Sequence, residues 1–417
     1  MSRPRLKLFA AHGVEIEYMI VSADRLDVRP ITDELLKAVC GSYVSDFEKE
    51  PIAWSNELVT HVVELKTHRP APDLLPLAAE FQSEVREINR LLSGMGARLM
   101  GTAMHPWMDP FRETRLWPHE YSPIYQAYDR IFDCRGHGWS NLQSVHLNLP
   151  FANDEEFGRL HAAIRLVLPL LPGLAASSPF QDSKATGFLD NRLENYRVNS
   201  ARIPSITAAV IPEPVYTEAA YRRDVFQRMY DDIAPLDPEG VLQDEFLNAR
   251  GAIARFDRGS IEIRLLDTQE CPQADLAIVG LVSAVLRALT GERWSSLAEQ
   301  QAFPTEPLAA LLREAIRQGN EALVTDISLQ RLLGWNSRTA PSLRELWQHL
   351  AFQLWPSDSA EAHQWRPALD VIFRDGCLAR RILRLAGENP DRTRLTAIYA
   401  QLCDCLAEGR MFESTGV

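Results

Sequence analysis

The stretch HGVEIEYMIV, residues 12–21, decides how this chain is read. Its alternation predicts a β-strand over 13–21. Successive strand side chains face opposite sides. Val14, Ile16, Tyr18 and Ile20 therefore form one face, and Glu15 and Glu17 lie together on the other. An apolar face packed on a core is ordinary. Two neighbouring carboxylates on the opposite face need a reason.

Three further stretches repeat the pattern. In LQSVHLNLP, 142–150, Val145, Leu147 and Leu149 oppose Ser144, His146 and Asn148. In GSIEIRLLD, 259–267, Ile261, Ile263 and Leu265 oppose Glu262 and Arg264. NELVTHVVELKTH, 56–68, predicts a strand over 57–66 but fits less neatly. Glu57 and Glu64 are seven residues apart, so an unbroken strand sets them on opposite faces. Either a bulge re-aims one of them or Glu57 precedes the strand.

Antiparallel sheets with solvated outer faces would explain any one of these strands. Solvated faces, however, usually mix Lys, Thr, Ser and Gln. Here the polar positions carry Glu15, Glu17, Glu57, Glu64, Glu262, His146, Asn148 and Arg264. If the four strands share one sheet, five carboxylates converge, which is intolerable without cations. Mg²⁺ or Mn²⁺ with oxygen ligands resolves the conflict. One histidine among the glutamates suits a site for two or three ions.

The remainder of the chain bounds the reading. Its 417 residues suffice for a large catalytic core plus an appendage. It is 46% hydrophobic and 24% charged, as in ordinary globular proteins. The formal charge of −12 argues against nonspecific nucleic-acid binding. No signal-peptide core precedes Glu15, and no run of about 18 apolar residues predicts a membrane span. Six cysteines without a CxxC pair, the closest being CDC at 403–405, read as reduced thiols in a cytoplasmic protein.

Residues 74–93 predict a helix with Asp73 as N-cap and Gly94 as stop. NDEEFGRLHAAIRLVLPLL, from 153, predicts another with acidic residues in its first turn. Residues 98–150 and 175–215 read as loop-rich. ADLAIVGLVSAVLRALTG, 274–291, is apolar almost all round and reads as a buried helix. After 292 strand signals cease, and five or so amphipathic helices are broken at GW, WPSDS, RDG and GENP. No internal repeat is present.

The motif scan removes several chemistries. GxxxxGK[ST], HExxH and GxSxG are absent. GMGARLMG, 94–101, does not fit GxGxxG. His105, His119 and His137 read as loop or structural histidines. Phosphate handling, if present, must come from metals and arginines rather than a glycine cradle.

In this order, GVEIEYMIV, NELVTHVVELKTH, LQSVHLNLP, LAASSPFQDSKATG, NYR and IARFDRGSIEIRLLD resemble the motifs of the family-2 glutamate–cysteine ligases, over roughly residues 8–290. These are carboxylate–amine ligases of the glutamine synthetase superfamily. The resemblance implies an α+β fold in which a curved antiparallel sheet lines a funnel with helices outside. The catalytic domain is expected over 1–291; the helical region over 292–417 carries no assignable motif, with scaffolding or dimer contact as the default. ATP and two or three Mg²⁺ or Mn²⁺ ions are the implied cofactors. Small-molecule substrates, an amino-acid carboxylate and an amine, are the implied partners, with neither nucleic acid nor membrane.

Carried over by residue, Glu15, His146 and Glu262 resemble ligands of the metal nearest the ATP phosphates. Glu17, Glu57 and Glu64 resemble those nearest the acceptor carboxylate. Arg264 resembles the arginine that holds the transferring phosphoryl group, and Arg255 a second phosphate-binding arginine. Arg197 in NYR resembles a substrate-carboxylate clamp, with Gln143 and Asn148 also placed among substrate contacts. An ordinary surface ion pair is the alternative for Arg197 and Arg255. Glu57 is also the candidate general base, because its parity separates it from Glu64.

Three positions depart from the family pattern. His-x-His is His146-x-Asn148, SYR is Asn195-Tyr196-Arg197, and the stretch after SSPF lacks the usual Trp. They put glutamate and cysteine as substrates in question while leaving the ATP–metal half intact. The expected reaction joins a carboxylate to an amine, γ-glutamyl in type, through an acyl phosphate. A metal-dependent phosphotransferase or hydrolase, and a non-catalytic binding paralogue, are the alternatives.

Overall fold

An eight-stranded antiparallel sheet organises the chain in the computed structural model, which describes residues 5–387 and 389–413. Its strands are β1 Gly13–Ser22, β2 Asp46–Phe47, β3 Ile52–Asn56, β4 Val62–Thr67, β5 Ala97–Met100, β6 Ser144–Pro150, β7 Ala252–Arg255 and β8 Ser260–Asp267. The order is β2-β3-β4-β1-β6-β8-β7, with β5 paired to the second half of β1. The sheet is open, and helices pack against it.

The alternation read in β1, β6 and β8 holds. Val14, Ile16, Tyr18, Ile20, Val145, Leu147, Leu149, Ile261 and Ile263 enter one apolar core. The expected strand over 57–66 is corrected. β3 ends at Asn56 and β4 begins at Val62, so Glu57 lies in the connection and precedes the strand. In β8 the pairing to β6 shifts between Ile263 and Leu266. That irregularity surrounds Arg264, whose backbone N–H donates to the Gly251 carbonyl at 3.0 Å.

The helices follow apolar spacing. α1, Leu77–Ser93, buries Leu77, Phe81, Val85, Ile88 and Leu92, the i, i+4 stripe of an amphipathic helix. It starts later than the expected 74, because Asp73 instead accepts from the Leu75 N–H at 3.0 Å and Pro76 occupies the cap. α2, Asp154–Val167, is capped by Asn153, whose side chain accepts from Glu156 N at 3.0 Å. α3, Asn191–Tyr196, is one turn and a half within the stretch expected to be loops.

α4, Pro272–Thr290, is the one helix among the described residues long and apolar enough to cross a membrane. Its most apolar window is 83% buried in protein, as expected for a core helix. All six cysteines are free, and five of them are buried.

Among the described residues, seven α-helices follow residue 292, more than expected, because short pieces at Leu297–Ala302 and Ile327–Leu332 form their own capped turns. The longer ones include α5 Leu343–Leu354, α6 Ala360–Asp375 and α7 Arg392–Glu408. This region does not build a core of its own. Trp347, Trp365 and Leu406 belong to the same cluster as Val14 and Ile16. α5 and α6 pack on α4, while α7 packs on β5 and α1. Arg381, fully buried, pairs with fully buried Glu270 just beyond β8. Its Nη1 also donates to the Phe412 carbonyl at 2.6 Å, and Phe412 N–H donates to Glu270 at 3.1 Å.

Candidate functional site

Strand register, read across the sheet, places the acidic residues opposite one another. Glu17 of β1 faces Glu64 of β4, and Glu64 faces Ser55 of β3. Glu15 faces Lys66 on one side and His146 of β6 on the other. Glu262 of β8 faces Asn148 of β6. Directly opposed side chains stand about 5 Å apart, and like charges so placed repel. Gly13 faces Asn148 at the start of β1, where a Cβ would lie 2.9 Å from the Asn148 Cβ. Its absence lets Asn148 close over the strand and donate to Glu15 at 3.0 Å.

These polar faces form the floor of a cleft of about 550 Å³. Glu15, Glu17, Glu57, Glu64, His146 and Glu262 all line it, together with Arg255 and Arg264. Two ligand-type groups are present, each with one donor atom per residue within 4.8 Å of the others. One is Glu15, Glu64 and His146; the other is Glu17, Glu57 and Glu64. Glu64 thus bridges both. Glu262 sits beside the first group rather than in it: it lies 3.8 Å from His146 Nδ1 and accepts from Arg264 Nη2 at 2.5 Å.

The protons report the strain. Burial raises the Glu57 carboxyl well above its usual range, and Glu17 and Glu64 push it the same way. Burial and Glu15 push Glu64 up to about 7, against the pull of Lys66 and Ser55. Burial also opposes ionisation of Glu15, yet the hydrogen bond and charge of His146 bring it down to about 2. His146 resists protonation through burial, but Glu15, Glu17 and Glu262 carry it up to about 9. Without a cation, these shifts favour the protonated form of Glu57 and delay ionisation of Glu64 towards neutral pH. Carboxylate oxygens and one imidazole make a donor set that fits Mg²⁺ or Mn²⁺.

Other groups hold the cluster in place. Ser144 donates its N–H and hydroxyl to Glu17 Oε2 at 2.7 and 3.0 Å. Ser55 donates to Glu64 at 2.6 Å. Lys66 reaches Asp46 at 2.9 Å and Glu64 at 3.5 Å. Lys66 was legible in the sequence, since it shares the parity of Glu64. Ser55 was not, because β3 itself was not recognised next to Pro51.

None of the three expected substrate contacts, Arg197, Gln143 and Asn148, lines the cleft. Arg197 does not line the cleft; it forms an i, i+3 ion pair with Glu194, its Nε donating at 2.7 Å. Gln143 is fully buried outside the cleft, with both amide atoms unpartnered. Asn148 reaches Glu15 rather than the cleft wall. The arginine that α3 does deliver is Arg192, one turn earlier. It is buried, donates to Asp267 at 2.5 Å and to the Arg264 carbonyl at 3.3 Å. Nothing in the loop-rich sequence marked it, because its partner Asp267 lies 75 residues away. Arg255 lies 3.9 Å from Glu262 and 3.3 Å from Asp257, so it is both a wall residue and an ion-pair member. Tyr125, Tyr128, Trp139, Tyr196 and Arg258 also line the cleft.

Comparisons with known proteins bear on the family and the fold. The family model described as glutamate–cysteine ligase family 2 matches residues 11–399. An uncharacterized protein of Archaeoglobus fulgidus is 32% identical over 402 residues, 96% of this chain and 99% of its own length. The fold resembles the glutamate–cysteine ligase of Francisella tularensis, solved in complex with AMP, with TM-score 0.58 and 14% identity over 99% of this chain and 91% of that one. It also resembles a bifunctional glutathione synthetase from Pasteurella multocida, with TM-score 0.63 and 14% identity over 96% of this chain and 53% of that one.

Proposed function

The chain belongs to the glutamate–cysteine ligase family 2, and from that premise we propose that it joins an amino-acid carboxylate to an amine at the expense of ATP, releasing ADP. The observation that supports this most is the cleft itself, where five glutamates and a histidine meet Arg255 and Arg264.

A carboxylate does not condense with an amine in water unaided. In our reading, transfer of the γ-phosphoryl group of ATP gives an acyl phosphate, γ-glutamyl in type, which the amine then attacks. Two or three Mg²⁺ or Mn²⁺ ions would supply charge neutralisation for the phosphates. Glu15, His146 and Glu64 would hold one ion, and Glu17, Glu57 and Glu64 another, with Glu262 beside the first.

Arg264 is the residue for the phosphoryl oxygens. Glu262 holds one side of its guanidinium, and its Nε is buried without a partner. A planar fork fixed in this way is already oriented before substrate arrives. Arg255 and Arg258 add positive charge to the same wall. The amine must lose a proton before it attacks. Glu57, whose carboxyl burial and the neighbouring Glu17 and Glu64 raise well above its ordinary range, is the candidate to accept it. Residues 1–291 would carry this chemistry, with 292–417 packed on them, in a cytoplasmic enzyme that forms homo-oligomers through its helices.

The test is an ADP-release screen of amino acids against amines with Mg²⁺ and ATP, followed by mass analysis. Release that requires both a carboxylate and an amine, with an amide product, supports ligation. Release with one substrate alone would instead mean a phosphotransferase or hydrolase. No turnover with any pair would leave a binding paralogue.

A further inference from the structure

A second cleft, of about 580 Å³, lies between α4, residues 72–75 and the junction of α5 and α6. None of its lining residues belongs to the glutamate cleft. Its charged lining is balanced, with Arg293 Nη2 donating to the Gln353 carbonyl at 2.9 Å and Asp73 accepting from the Leu75 N–H at 3.0 Å. Arg287 and Arg293 stand on its wall, and among the described residues neither has a carboxylate within 4.0 Å. Arg287 lies over the Phe9 ring at 4.6 Å, and Arg293 over Trp294 at 5.8 Å. Asp73 and Glu361 line the same cleft, also without a cationic partner among the described residues. Exposed arginines and carboxylates on one wall ordinarily find each other when their reach allows.

The floor is different. His12 is 5% exposed, with Nε2 3.0 Å from Ser283 Oγ and Nδ1 without a hydrogen-bond partner. A buried polar atom left open in this way costs free energy unless something fills it. Burial and the nearby Arg287 charge hold the imidazole at about 4, so it is neutral at physiological pH. If Nε2–H donates to Ser283, Nδ1 is an acceptor. Arg287 and Asp73 both act on His12 electrostatically, with opposite sign. Both charges are therefore near enough to act on it. Beside it, the buried indoles of Trp355 and Trp365 supply apolar surface. Trp365 packs on α4 at Gly280, where a Cβ would stand 3.0 Å from its Nε1.

The geometry points to a second binding site here, for a zwitterionic amino acid with an apolar side chain. The carboxylate goes to Arg287 and Arg293. The ammonium, with three donors and no acceptor, goes to the exposed carboxylates of Asp73 and Glu361. The side chain packs on the two tryptophans. A simple anion would leave the carboxylates opposed, and a simple cation would leave the guanidiniums opposed.

The test uses the full-length protein with EDTA and without ATP, so it does not depend on ligase activity. L-phenylalanine is titrated calorimetrically. Saturable binding is expected, weakened about tenfold or more for L-phenylalaninamide and for N-acetyl-L-phenylalanine, each of which lacks one charge. Arg287→Glu and Glu361→Gln, both at exposed positions, should weaken it similarly, while Arg264→Lys should not. No saturable heat at about 10 mM would overturn the proposal. So would binding that survives Arg287→Glu but is lost in Arg264→Lys, which would assign the amino acid to the glutamate cleft.

Discussion

Glu64→Gln should stabilise the metal-free protein, and only above about pH 5. Glu64 titrates near 7 in the fold against about 4.5 unfolded. A carboxyl whose pKa is raised by folding binds its proton more tightly when folded. Its contribution is therefore neutral below pH 4.5, falls as pH rises from 4.5 to 7, and is constant above that. The 2.5-unit gap corresponds to about 3 kcal/mol. Glutamine resembles the protonated form and should escape the loss. In EDTA, urea titrations of wild type and variant should coincide at pH 4.5 and separate by about 2–3 kcal/mol at pH 8. His146, raised to about 9, also loses its contribution as pH climbs from 6.5 to 9, but it does so in both proteins. With saturating Mg²⁺ the advantage should vanish or reverse, because the cation replaces the proton and glutamine is a poorer ligand. A constant gap across pH in EDTA would refute the reasoning. It would mean that Glu64 is not held among carboxylates and that the cleft has no electrostatic need of a cation.

Arg264→Lys should lower kcat about a hundredfold, or about 3 kcal/mol, with little change in melting, as steady-state kinetics and thermal scans will show. Arg192→Met should destabilise the fold by about 3–5 kcal/mol, measured by urea unfolding, because Asp267 loses its buried partner. Arg197→Ala should leave kcat/KM within about twofold, since its ion pair with Glu194 lies on the surface. Replacing all six cysteines with Ser or Ala should preserve turnover in any folded product, because none lines the glutamate cleft.

The site was legible where chemistry follows strand parity. Glu15, Glu17, His146, Glu262 and Arg264 could be placed on one face by counting in twos. That face was then confirmed by register: Glu15 opposite His146, Glu17 opposite Glu64. Parity failed where the chain turns. Glu57 joins Glu17 and Glu64 from a connection, and only the pairing of β3 with β4 brings it there. Arg192 and Arg197 stand five apart around a short helix, so one points in and the other out, and a tripeptide motif cannot tell which. The tail helices were legible from their breaks, but their burial against α4 and β5 was not. Amphipathic spacing gives a face without naming what it meets.

That shared burial has a consequence for how the protein is made. Glu270 waits for Arg381 and Phe412, and Gln82 waits for the Leu406 carbonyl, which it reaches at 2.8 Å. By residue 290 every strand of the sheet and the whole of α4 have been synthesised, but α5, α6 and α7, which cover α4, β5 and α1, have not. At about 5–20 residues per second, the last 127 residues take roughly 6–25 s to appear. For that interval the nascent chain carries an apolar back and an unpaired buried acid. A chaperone that binds such surfaces during synthesis would find its best target in this window, and a ribosome stalled near residue 300 should yield a chain that aggregates rather than an active fragment.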